Sequence, residues 1–231
     1  MIGFYDYTVV LTYLSLFSAG TGILVSLSGT GHPYMGTFFL LFCGLCDAFD
    51  GLVARTKKNR TQMEKNFGIQ IDSLSDLIAF GVLPACIGMA CVRTSKPLRE
   101  IFGAGMENLP MLIICIVLFS IMVLYILAAL IRLAYFNVTE EERQRTEGGV
   151  RRYFTGLPVT SAALIFPSVM LFRYILPMDI SIVYFPVALI TGFLFLSKLQ
   201  IPKPRLRGIL IMIGVGVLEC LLLLLFFFFF K

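Results

Sequence analysis

The chain has 231 residues, 58% of them hydrophobic and only 14% charged, against about 25% charged in an average soluble domain. So few charges cannot cover that much apolar surface in water, which excludes a soluble domain and leaves no room for a large extramembrane one. The formal net charge is a modest +5, and the Lys and Arg residues fall in short loops between apolar runs, which also excludes a nucleic-acid-binding surface.

The opening MIGFYDY carries no Lys or Arg, so no cleavable signal peptide is expected. The first ten residues are expected to lie along the inner surface of the membrane. A helix needs about 20 apolar residues to cross a bilayer. Seven stretches are read as spans: 9–27, 36–53, 75–92, 111–135, 157–176, 182–196 and 209–230. The loop after the second holds Lys57, Lys58, Arg60 and Lys65. The loop after the fourth holds Arg143, Arg145, Arg151 and Arg152, and that after the sixth holds Lys198, Lys203, Arg205 and Arg207. Against these twelve, the other side has Arg93, Lys96, Arg99 and Lys231. The excess places the N-terminus and the three basic loops in the cytoplasm. Cys43, Cys46, Cys86, Cys91, Cys115 and Cys220 all lie in or beside apolar runs. They are read as packing residues rather than disulfides or a zinc site.

Two spans break the apolar pattern. The second ends CDAFDGLVAR, with Asp47 and Asp50 in its last turns. The third begins GIQIDSLSDLIAFG, with Asp72 and Asp76 in its first turns. A carboxylate at membrane depth costs roughly 2.5–3.5 kcal/mol on insertion scales. Spacings of three and four put each pair on one helix face, and consecutive antiparallel helices let the two faces meet. Four converging carboxylates repel unless cations lie between them. Oxygen donors without His or Cys suit two hard divalent cations, Mg²⁺ or Mn²⁺, with Ca²⁺ also accepted. Such a site suggests phosphoryl or pyrophosphate chemistry. Gly51 and Ala54 leave room for a ligand beside the helix, and tight helix packing explains them equally. Arg55 reads either as a phosphate contact or as a positive-inside anchor.

The string Asp47-x2-Asp50-Gly51-x2-Ala54-Arg55…Gly68-x3-Asp72-x3-Asp76 resembles the signature of the CDP-alcohol phosphotransferase family. That family usually has eight residues between the Arg and the next Gly, whereas residues 56–67 make twelve. The longer loop leaves open whether Thr61 or Lys65 touches the nucleotide. FGIQIDSLSDLIAFGVLPA, IRLAYFN, FTGLPVTSAA and IPKPR are most similar to the integral-membrane phosphatidylserine synthase branch. The resemblance implies an all-α polytopic membrane helix bundle, with a six-helix core in 1–200 and a basic loop and added seventh span in 201–231.

It also implies transfer of a phosphatidyl group from CDP-diacylglycerol to the hydroxyl of L-serine. Asp47, Asp50, Asp72 and Asp76 would hold the metal ions, with Asp76 as general base. Gly51, Ala54, Arg55, Gly68 and Thr61 would bind the nucleotide. A serine carboxylate calls for an Arg fork, from Arg132 or Arg151, with Asn137 as a neutral partner. A snorkelling interfacial role for Arg132 stays open. Membrane lipid surrounds the protein, related enzymes form homodimers, and the expected setting is a bacterial inner membrane with the active site facing the cytoplasm. The alternatives are a sister enzyme using glycerol 3-phosphate or inositol phosphate, an archaeal-type lipid donor, and, outside the class, a divalent-cation transporter.

Overall fold

A computed structural model describes residues 3–29, 32–103, 108–146, 153–175, 179, 181–203 and 206–229. Each of the seven apolar stretches contains a helix. The helices are α1 (Val10–Leu27), α2 (Pro33–Ala54), α3 (Gln62–Asp76), α4 (Leu83–Thr94), α5 (Lys96–Gly103), α6 (Leu109–Thr146), α7 (Ala162–Ile175), α8 (Ser181–Leu196) and α9 (Leu206–Phe229). Among the described residues, five runs are long and apolar enough to cross a membrane: Val10–Leu27, Pro33–Ala54, Gln62–Thr94, Leu109–Arg143 and Arg207–Phe226. α7 and α8 are shorter apolar helices. The protein is an all-α polytopic membrane bundle.

α1 and α2 run antiparallel in close contact. The Ser18 hydroxyl donates to the Phe39 carbonyl at 3.1 Å and the Cys43 thiol to that of Ser15 at 3.3 Å. Between α3 and α4 the helix widens to π pitch over Leu77–Val82. Pro84 supplies no N–H to the turn before it. The Phe80 carbonyl instead accepts from the Tyr125 hydroxyl of α6 at 2.6 Å, and the Pro84 carbonyl accepts from Tyr184 of α8 at 2.7 Å. Around these contacts Phe166 stacks on Tyr184 at 4.8 Å and meets Tyr125 edge-on at 5.5 Å. This aromatic group is the centre of the core.

Four features differ from the sequence reading. α3 starts at Gln62, well before the expected span, because Thr61 and Glu64 form a reciprocal capping box. Asp72 and Asp76 therefore lie well inside a helix rather than in its first turns. α6 runs to Thr146, so Arg143 is helical and pairs with Glu140 at 2.6 Å. α5 is a short amphipathic helix burying Leu98. Finally, β1 (Tyr153–Thr155) pairs antiparallel with β2 (Gln200–Pro202), Phe154 opposite Ile201.

This two-stranded pairing joins two of the segments that carry the family resemblance. The turn that follows β1 needs Gly156, whose φ is +77°. A Cβ there would lie 2.6 Å from the Phe195 carbonyl and 2.9 Å from that of Ser197. The Gly156 and Leu157 N–H groups donate to the Leu199 and Leu194 carbonyls, tying the turn to the end of α8.

Candidate active site

The site forms where the end of α2 faces α3. The last two turns of α2 carry Asp47, Asp50, Gly51 and Ala54. Along α3, a spacing of four aligns Glu64, Gly68, Asp72 and Asp76 on one face, with Arg60 in line just before the N-cap. The Ser75 hydroxyl fixes α3 to α1 through the Thr12 carbonyl at 3.2 Å. The Asn137 amide of α6 donates to the Ser73 hydroxyl at 2.8 Å.

One carboxylate oxygen each from Asp47, Asp50 and Asp72 lie within 4.8 Å of one another. Hard divalent cations take oxygens at about 2.0–2.6 Å, so three such oxygens can share one ion. The donors are oxygen only, which suits Mg²⁺, Mn²⁺ or Ca²⁺. Asp76 stands one turn further along α3 and is 8% exposed. It is not among the three clustered oxygens.

Two spaces meet at this cluster. A polar cleft of about 180 Å³ includes Asp50, Gly51, Arg60, Lys65, Gly68 and Asp72 in its lining. An apolar cavity of about 680 Å³ reaches Asp47 and runs between α2, the β1–β2 pair, α7 and α9, past Leu41, Leu164 and Val217. The carboxylates thus stand between a cleft with charged side chains in its lining and an apolar cavity.

A strap before α1 closes the cleft. Phe4 packs edge-on against Phe67 at 5.3 Å, and the Tyr13 hydroxyl donates to the Phe4 carbonyl at 2.8 Å. Lys57 bridges Asp6 at 2.7 Å and Glu64 at 2.8 Å. The Lys57 ammonium, helped by Thr8, holds the Asp6 carboxyl down to about 2. Thr8, Val9 and Thr12 then form the far wall.

The other expected residues fall as follows. A Cβ on Gly51 would meet only the Arg55 guanidinium, at 4.0 Å, so internal packing does not demand glycine there. Ala54 lines the cleft. Arg55 is exposed at the C-cap of α2. Thr61 is exposed and engaged as an N-cap, whereas Lys65 lines the cleft. Arg132 is 6% exposed. Its Nε donates to the Leu157 carbonyl at 3.3 Å and its guanidinium lies 5.5 Å from the centre of the Phe136 ring. It therefore supports the turn that follows β1. Arg151 lies outside the described residues.

The sequence reading passed over three residues of interest. Thr8 carries no local signal. Arg60 could be found from the four-residue spacing that continues back from Asp72. Glu219 carries the same signal as the four Asp residues, a carboxylate inside an apolar run. It is 5% exposed on α9 and accepts from the Ser168 hydroxyl of α7.

The family model described as CDP-alcohol phosphatidyltransferase matches residues 8–229. A Saccharomyces cerevisiae protein named CDP-diacylglycerol–serine O-phosphatidyltransferase is 32% identical over 69% of this chain and 51% of its own length. The chain thus spans about half of that relative. An archaetidylserine synthase of Methanothermobacter thermautotrophicus is 29% identical over 82% of this chain and 68% of its own. A Bacillus subtilis protein with the same name as the yeast one is 25% identical over 79% of this chain and 80% of its own. With the match covering nearly every described residue and three of the four signature carboxylates brought together, the chain belongs to the CDP-alcohol phosphatidyltransferase family.

Proposed function

We propose that the chain transfers the phosphatidyl group of CDP-diacylglycerol to L-serine, giving phosphatidylserine and CMP. The observation that carries this reading is the junction of spaces: clustered carboxylates between a polar cleft and an apolar cavity. A nucleotide diphosphate on a lipid has that same division. Its headgroup suits the cleft, its tails the cavity, and its diphosphate the carboxylates between. The names of the relatives support serine as the acceptor.

Asp47, Asp50 and Asp72 would hold the divalent ions, with Asp76 completing the site; when bound, such ions neutralise the diphosphate charge. Gly51 and Ala54 let the nucleotide approach α2. Asp76 takes the proton from the serine hydroxyl. The serine oxygen then bonds to the phosphorus that bears the diacylglycerol, and the bond from that phosphorus to the CMP oxygen breaks. Burial keeps water from competing as the acceptor. Arg132 is assigned to the serine carboxylate, with Asn137 beside it. A homodimer, and a cytoplasmic site in a bacterial inner membrane, complete the reading. A second reading keeps serine and changes the tails to the archaeal type, favoured by the archaetidylserine synthase match.

The test is CMP release by the full chain, with CDP-diacylglycerol or its archaeal analogue offered to L-serine, glycerol 3-phosphate and inositol phosphate. Release is expected with serine, lost reversibly on chelation, and nearly abolished by Asp47→Asn, Asp50→Asn, Asp72→Asn or Asp76→Asn in protein that still inserts. Preference for glycerol 3-phosphate would remove serine from the reading. Full activity in metal-stripped protein would remove the metal site.

A further inference from the structure

We infer that Arg60, supplied by the lengthened loop between α2 and α3, is the residue that grips the anionic phosphates of the nucleotide. This inference rests on the proposed function and assigns a role that the family signature does not contain.

The argument begins with the α3 face. Glu64, Gly68 and Asp72 follow one another at four-residue spacing and stack along one side of the α3 axis, and Arg60 stands just before the N-cap, Thr61. The Arg60 side chain lies along this stack. Its Nη2 donates to the Glu64 carbonyl at 3.1 Å and stands 2.6 Å from where a Cβ on residue 68 would be. Gly68 is therefore what lets the guanidinium advance toward Asp72. The capping box and the Lys57–Glu64 ion pair stiffen the turn that carries Arg60.

The guanidinium has charge left to give. It lines the same cleft as Asp50 and Asp72, yet among the described residues no ion pair joins it to either. Its Nε is buried with no acceptor. A buried donor without a partner is costly, and a planar fork facing a carboxylate cluster across a narrow cleft suits an anion held between the two. Divalent ions bound to the carboxylates would face that anion from one side, and Arg60 would face it from the other. A nucleoside diphosphate supplies the anion. The carboxylates bind cations and cannot themselves grip a phosphate; Arg60, with Lys65 in the lining of the same cleft, supplies positive charge from the protein.

The experiment measures binding of CDP, CMP and cytidine to the full chain in detergent with Mg²⁺, by calorimetry. Arg60→Gln is expected to weaken CDP by roughly tenfold or more, as for loss of a charge-assisted contact, and CMP in the same direction. Cytidine, which has no phosphate, is expected to bind equally to both proteins. Arg60→Lys, which keeps charge and loses the fork, is expected to fall between. Gly68→Ala is expected to act like Arg60→Gln by pushing the guanidinium back. Lys58→Gln removes a neighbouring exposed charge outside the cleft and is expected to change nothing. Unchanged CDP affinity in Arg60→Gln overturns the inference and leaves the proposed function standing. An equal loss for cytidine overturns it too, assigning Arg60 to the loop's shape. Wild-type protein that binds no CDP overturns both.

Discussion

Arg132 shows how far a residue can be read before it is seen in place. Sequence pattern marks it as an Arg near the end of an apolar run, with serine binding and interfacial anchoring as rival roles. Its position over Phe136 is an i,i+4 contact within α6, but its contact with the Leu157 carbonyl comes from a turn with no local helical or strand signal. The four Asp residues were legible for the opposite reason. Carboxylates in apolar helices are costly, and their i,i+3 and i,i+4 spacing fixes the face they share. Thr8 was not legible, because a strap folded back by Lys57 and Phe67 leaves no periodicity to read. Arg132→Lys keeps the charge and loses the fork. If Arg132 holds serine, KM for serine should rise roughly tenfold with KM for the lipid donor little changed. Steady-state kinetics with each substrate varied in turn decides, and equal loss toward both would leave Arg132 as support for the turn after β1 alone.

Among elements, the α3–α4 run is the most informative. Its apolar half was readable as a span. Its polar first half looked like a loop, because the capping box was not weighed as a start signal, and the π segment has no periodic signature of its own. Wide turns of this kind recur near functional sites, and here one begins at the residue after Asp76. It ends the four-residue stripe: the next position in the stripe, Phe80, is fully buried in the core. Two tyrosines from different helices donate to the Phe80 carbonyl within it and to the Pro84 carbonyl just after it. Tyr125→Phe keeps the shape and strands the Phe80 carbonyl, at a cost of about 1–3 kcal/mol. A lower melting temperature in detergent is expected for this variant, measured by thermal shift. An unchanged midpoint would mean that the hydroxyl does not hold the wide turn.

For the whole molecule, composition alone dictated a membrane bundle, and the seven apolar stretches were readable to within a few residues at most ends. The β1–β2 pairing was not, since it joins three-residue segments separated by two helices. Orientation rests on the distribution of Lys and Arg. Reporter fusions after Lys58 and Lys203 are expected to report the cytoplasm, and one after Ser95 the far side. A far-side signal at Lys58 would turn the carboxylate cluster away from cytoplasmic nucleotide, and the proposed reaction would have to be abandoned.

The Glu219–Ser168 contact bears on how the bundle comes to be assembled. α9 is apolar enough to enter a bilayer although one carboxyl at mid-depth opposes insertion by a few kcal/mol. Its hydrogen-bond partner belongs to α7, two helices earlier. During synthesis α7 reaches the membrane before α9, and its Ser168 waits there until α9 arrives. Docking of α9 then follows that of α7, guided by the Glu219–Ser168 contact in a largely apolar seam. The same step closes the α9 wall of the apolar cavity, so a nascent chain lacks a finished apolar chamber until α9 has been made.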